Sequence, residues 1–204
     1  YGLVTESVTV MNDGSDGEAA VVRATGTLAP LPFFQAITEG FFPQDYGDVP
    51  AALEYVLEPG AEHVDVYWVY ASPRGHDTRV PQTLHGFMYG PRMPDYAPDL
   101  GFAAEGASVA YRAFIDDDAT SYAYSRLDGE MLEPGVSASG FQSNVTGEFT
   151  IDACAVTREH HARLTIGGPG VDGLRRAIAR TEGETLRAVS GVVRDASGTP
   201  VEGV

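Results

Sequence analysis

AALEYVLEPGAEHVDVYWVYAS, residues 51–72, is the stretch whose patterning decides the fold. Leu53, Tyr55 and Leu57 alternate along one side of a first strand. Glu58-Pro59-Gly60 then makes a turn, because Pro presets φ and Gly accepts a positive one. In the second strand His63, Asp65, Tyr67 and Val69 fall on one face, and Val64, Val66, Trp68 and Tyr70 on the other. The period of two predicts a β-hairpin, with the face bearing Val64, Val66 and Trp68 turned to the core.

The same period recurs outward from this hairpin. Leu3 to Met11 and Ala19 to Ala29 read as two paired strands around the Gly/Asp/Asn cluster NDGSDGE. Between them and the central hairpin, PLPFFQAITEGFFPQDYGDVP reads as a long loop or crossover that lays aromatics on the core. After the hairpin, SPRGHDTRVPQ is read as a loop, TLHGFMYG as a strand and PRMPDYAPDLGF as a Pro-rich loop. SVAYRAFID and TSYAYSRL are strands about an acidic turn, Asp116 to Asp118. Two more strands are expected, Glu148 to Val156 and His161 to Ile166. The single helix is GVDGLRRAIARTEG, with Leu174, Ala177 and Ile178 on one face and Gly183 as its stop. Some ten strands, one short helix and long loops predict an all-β fold, a large antiparallel sandwich.

The chain has 204 residues, with 29 acidic side chains against 13 basic ones. Every base is Arg; there is no Lys. A net charge of −16 argues against nucleic acid and anionic membranes as partners, because phosphate binding needs clustered cations. It fits a solvated acidic surface or one that attracts cations. No apolar run reaches membrane-spanning length, so no membrane insertion is expected. The lone Cys154 has no partner for an internal disulfide; in the alternating FTIDACAVT it reads as a small buried apolar residue.

Candidate chemistry is sparse. Glu159-His160-His161 is the densest group of metal-ligand types, but neighbours in a strand point to opposite faces, so an exposed turn is the expectation. His76 and Asp77, beside Arg74 and Arg79, read as a solvated loop. His85 shares a strand face with Phe87 and Tyr89 and is followed by Arg92; it lines a ligand groove or sits hydrogen-bonded in an aromatic core. Asp116 to Asp118 lacks calcium-loop spacing, and Asn144-Val145-Thr146 is a short glycosylation pattern. No GxSxG, P-loop, dinucleotide fingerprint or paired-Cys motif occurs. The expectation is no catalytic residue, metal site or cofactor within the chain.

VSGVVRDASGTPVEGV, at the C-terminal end, resembles the start of a carboxypeptidase regulatory-like domain, a small Ig- or prealbumin-like β-domain. Gly191, Val192 and Val193, then Asp195, Gly198, Pro200, Val201 and Gly203, carry that likeness, and Val189 to Val193 is expected as a strand. VTVMNDGSDGEAAVVRATG, LEYVLEPGAEHVDVYWVY, TSYAYSRLDGE and the run from GPGVDGL into the terminal stretch are similar to the β-rich region ahead of that module in secreted PHP-type metallohydrolases. The resemblance implies a supersandwich of the galactose-mutarotase type over 1–187, with 188–204 opening the next domain. It also implies a secreted or periplasmic bacterial protein, from which this chain, carrying no initiator Met or signal peptide, is a piece. The divalent metal belongs to a downstream catalytic domain, since the H-x-H metal motif of those hydrolases is absent here. The expected function is a non-catalytic structural or substrate-orienting module, partnered by the downstream domains. The alternative is carbohydrate binding, with Tyr67, Trp68, His85, Tyr89, Arg92, Tyr122 and Tyr124 as the residues to test. A mutarotase- or lyase-like enzyme using His85 with Glu105 is the third reading.

Overall fold

The computed structural model describes all residues except 31–48, 74, 89–92, 103–106, 127–130, 133–140, 188–190 and 202–204, and the backbone alone at 84, 86–88 and 141–146. Of the sequence expectations, Tyr89, Arg92, Glu105 and the loop after Pro30 lie outside the described residues.

Among the described residues the chain is all-β with one short helix near its C-terminal end. The strands are β1 (Gly2–Asn12), β2 (Ala20–Ala29), β3 (Val49–Leu57), β4 (His63–Ala71), β5 (Thr78–Val80), β6 (Thr83–Met88), β7 (Asp95–Tyr96), β8 (Tyr111–Phe114), β9 (Ser121–Ser125), β10 (Phe141–Thr146), β11 (Phe149–Ile151) and β12 (Val156–Gly167). The helix α1 spans Gly170–Glu182. Eight strands form one antiparallel sheet in the order β1-β2-β3-β4-β12-β9-β8-β7, and β10-β6 and β11-β5 form two-stranded ribbons. The second layer is therefore two short ribbons among the described residues, where the resemblance implied a second large sheet.

The central hairpin forms as its alternation predicts. Ala61 donates to the Glu58 carbonyl at 3.0 Å, and Gly60 takes φ 75°. Leu53 pairs with Trp68 and Ala51 with Tyr70. Val66, Trp68 and Tyr70 are buried, so this inner face is the core face. Tyr70 packs edge-on against Phe149 of β11, and Val80, Ile151 and Leu132 complete the cluster. β1 and β2 pair as expected. A Cβ on Gly26 would sit 1.9 Å from the Val4 carbonyl oxygen, so the irregularity in β1 between Thr5 and Ser7 requires glycine opposite it.

The helix packs on the other, outer face, at its far end. Leu174, Val171 and Ile178 meet Ala113, Ile115 and Ala123. Gly167 and Gly173 permit the approach: a Cβ on Gly167 would lie 2.4 Å from the Leu174 Cα, and one on Gly173 2.5 Å from the Gly168 carbonyl carbon. Gly183 ends the helix in the left-handed conformation, its N–H turned back to the last carbonyls.

Four expectations are corrected. Glu159-His160-His161 is no turn; it lies inside β12, which runs unbroken from Val156 to Gly167 with a bulge between His160 and Ala162. Cys154 is exposed, at φ 60°, because Ala155 donates to the Asp152 carbonyl and the alternation breaks into a turn there. The segments read as loops contain β5 and β7, whose short runs gain partners only from distant strands. In place of a strand from Val189 to Val193, residues 191–193 carry no strand; a tight exposed turn follows, in which Asp195 Oδ1 accepts from the Ser197 and Thr199 N–H groups and Val201 donates to the Val193 carbonyl.

Candidate functional site

The two faces of the eight-stranded sheet hold two different polar groups. On the inner face, β6 brings His85 over β9, with Nδ1 2.8 Å from the Tyr124 hydroxyl. The bulge in β12 turns His161 to the same side, where its ring meets His85 edge-on at 5.4 Å and Trp68 edge-on at 6.4 Å. Tyr55 stands 6.4 Å from His85 at the margin. Trp68, Tyr124, His85 and His161 are all buried. Burial pushes the His85 pKa down to about 4, so its imidazole is neutral at ordinary pH. Trp68, His85 and Tyr124, three of the residues named from the sequence for sugar binding, thus come together with their rings buried in the core. Of the two environments considered for His85, the hydrogen-bonded aromatic core is the one it occupies. Trp68 Nε1 has no hydrogen-bond partner among the described residues.

The outer face is built differently. Glu54 on β3 accepts from Arg23 Nε at 2.8 Å and from Arg158 Nε at 2.5 Å. Asp65 on β4 accepts a two-pronged contact from Arg163, Nε at 2.7 Å and Nη2 at 3.0 Å. Tyr67 lies between these groups: the His160 ring stacks on it at 4.3 Å, and the Arg158 guanidinium carbon stands 3.5 Å from its ring centre. Partial burial opposes ionisation of Glu54, but the hydrogen bonds and charges of Arg158 and Arg23 outweigh it and hold the carboxyl below its ordinary range. Burial and Arg163 act in the same opposed way on Asp65, with the same result. Burial lowers the pKa of His63 and His160, whose Nε2 atoms lie 4.0 and 3.6 Å from Asp65.

Beside this array, α1 and the outer face enclose a groove of about 220 Å³. It is lined by Tyr111, Ser125, Thr165 and Thr181, by Arg126, Arg163 and Glu182, and by the apolar Ala110, Ala123 and Ile178. Burial raises the Tyr111 pKa to about 12, which keeps the phenol protonated and able to donate. Thr181 Oγ1 lies 3.4 Å from His63 Nδ1, tying the groove wall to β4. Tyr122, also named from the sequence, is half-buried on the inner side and does not reach the groove.

The sequence did not reveal this outer site. Its arginines lie 31, 98 and 104 residues from their acid partners, and only strand order makes them neighbours. The one available signal was the polar side of the central hairpin, His63, Asp65 and Tyr67, opposite its apolar face. Among the described residues no group of three His, Cys, Asp or Glu side chains is placed to hold a metal ion, and no helix is long and apolar enough to cross a membrane.

No protein-family model matches the chain, and no curated protein matches it in sequence. Among solved structures it is similar to a galactose mutarotase-like protein from Lactobacillus casei, at 14% identity and a TM-score of 0.40, covering 78% of this chain and 73% of that one. It is also similar to a GH36 alpha-galactosidase from Geobacillus stearothermophilus in complex with stachyose, at 8% identity and a TM-score of 0.41, covering 86% of this chain and 27% of that one. No residue role is taken from either.

Proposed function

We propose that this chain is a non-catalytic β-sandwich module that holds a saccharide in the groove between α1 and the outer sheet face. The observation that carries the reading is the lining: hydroxyl-bearing Tyr111, Ser125, Thr165 and Thr181 with Arg126 and Arg163 around one concave volume, beside the apolar Ala110, Ala123 and Ile178. Such a set can donate to and accept from several hydroxyls of one polyhydroxylated ligand, and oriented polar groups of this kind are what fix a small ligand in a pocket. The neighbouring carboxylates of Glu54 and Asp65 are kept ionised by arginines, which suits them to holding structure rather than to giving a proton.

The module's setting is a larger secreted or periplasmic metal-dependent hydrolase of PHP type, in which it packs on the catalytic domain and orients substrate. Support for that setting is the sequence resemblance alone, including the carboxypeptidase regulatory-like stretch from Gly191 onward. The metal and the hydrolytic residues belong to the downstream domain.

A glycan array followed by calorimetry tests the groove. Binding should fall about tenfold on losing two of its hydroxyls, as in Thr165→Val with Thr181→Val. An array with no hits sinks the reading. Turnover of ester or phosphate substrates by the purified chain would overturn the non-catalytic half of it.

A further inference from the structure

We infer that the ligand of the outer face is an acidic saccharide, a chain carrying carboxylates, which runs from the groove across the sheet towards Glu54. This rests on the saccharide reading of the groove and names the ligand's charge and course.

The chain as a whole carries −16. On the outer face the arginines are the more exposed members of the ion pairs. The acids lie underneath: the Glu54 side chain is 6% exposed and that of Asp65 13%. Their arginine partners are Arg23, 38% exposed, Arg158, 47%, and Arg163, 19%. Among these five side chains three arginines meet two acids, 3 − 2 = +1. Each guanidinium has five N–H donors, and the contacts to Glu54 and Asp65 occupy only some of them. The remaining donors form a fixed row, because the acids beneath hold the arginines in place and less side-chain freedom is lost on binding. Arg163 belongs to both the groove and the row, so the two surfaces are continuous.

The distance suits an extended ligand. From the groove on β9 and β12 to Arg23 on β2 the path crosses β4 and β3, roughly 15–20 Å at the usual strand spacing. A carboxylate on such a chain meets planar guanidiniums, the pairing that Arg makes best.

The test is calorimetry on the whole chain with short oligomers of galacturonic acid and of galactose, matched in length, and with a single-stranded oligonucleotide as a third arm. The acidic oligomer should bind about tenfold more tightly than the neutral one at low salt, and the gap should close as salt rises. Arg158→Gln should remove most of the gap between the acidic and the neutral oligomer; Arg23→Gln is the second variant, since each leaves Glu54 one arginine. Equal binding of both oligomers, or a gap untouched by both variants, overturns this inference and leaves the groove reading intact. Binding of neither oligomer overturns both. Oligonucleotide binding that is lost in Arg158→Gln overturns the assignment to a saccharide.

Discussion

Tyr67 and Trp68 are consecutive in β4, yet they live in opposite worlds. Trp68 is stacked on Tyr70 at 5.4 Å within the buried inner cluster. Tyr67 is half-buried on the outer face, held between His160 and Arg158. The inner face gains from removing apolar surface from water, and a polar atom buried there without a partner among the described residues, such as Trp68 Nε1, costs stability. The outer face keeps its charges near solvent, where ion pairs add little stability but fix positions. The difference is that the inner polar groups, His85 included, are packed in the core, whereas the outer ones keep contact with solvent.

The sharpest way to break this contrast is to truncate both residues. Trp68→Ala should cost about 3–5 kcal/mol, the usual range for emptying a large core site. Tyr67→Ala should cost only about 1 kcal/mol. Denaturant unfolding of the two variants checks this, and equal costs would erase the distinction between the faces.

Acid should find the inner face next. His85 in the unfolded chain takes up a proton near 6.5, while in the folded core it resists until about 4. A depressed folded pKa means that its contribution is complete above pH 6.5 and disappears as pH falls to about 4. The loss is on the order of 3 kcal/mol. Unfolding measured across that window should steepen for the native chain and flatten for His85→Gln. A slope unchanged by the substitution would show that His85 is not the group responsible.

On the outer face the carboxylates carry more stability than the arginines. Glu54→Gln weakens two charge-assisted contacts to a buried acceptor and should cost about 1–3 kcal/mol. Arg158→Gln leaves Glu54 with Arg23 and should cost under ~1 kcal/mol, because the guanidinium is half exposed. Thermal unfolding of both ranks them, and the reverse order would mean that the arginines, not the acids, organise the face.

Much of the fold was legible. The period of two placed Val66, Trp68 and Tyr70 together on the core face, and Glu58-Pro59-Gly60 located the turn between β3 and β4. The spacing of Leu174, Ala177 and Ile178 and the stop at Gly183 marked α1 to its last residue. These are local signals: alternation, turn chemistry and helical periodicity are written in neighbouring residues. His85, Trp68 and Tyr124, named from the sequence as residues to test for sugar binding, lie together in the core. His161 was not among those so named, because its inward direction comes from the bulge before Ala162, which exists only by virtue of the register between β4 and β12. Cys154 was misplaced for a related reason: an alternating sequence can still be a turn where no partner strand holds it straight.

By itself, then, the sequence determined the long strands around the central hairpin, which side of that hairpin is apolar, and where the helix stops, since each depends on residues a few positions apart. The strand order β2-β3-β4-β12-β9 was decided only in three dimensions. That order sets Arg23, Arg158 and Arg163 over Glu54 and Asp65 and closes a groove beneath α1. Its cause is long-range pairing of apolar faces, and a pattern of period two says which face is buried but not against which strand it will lie.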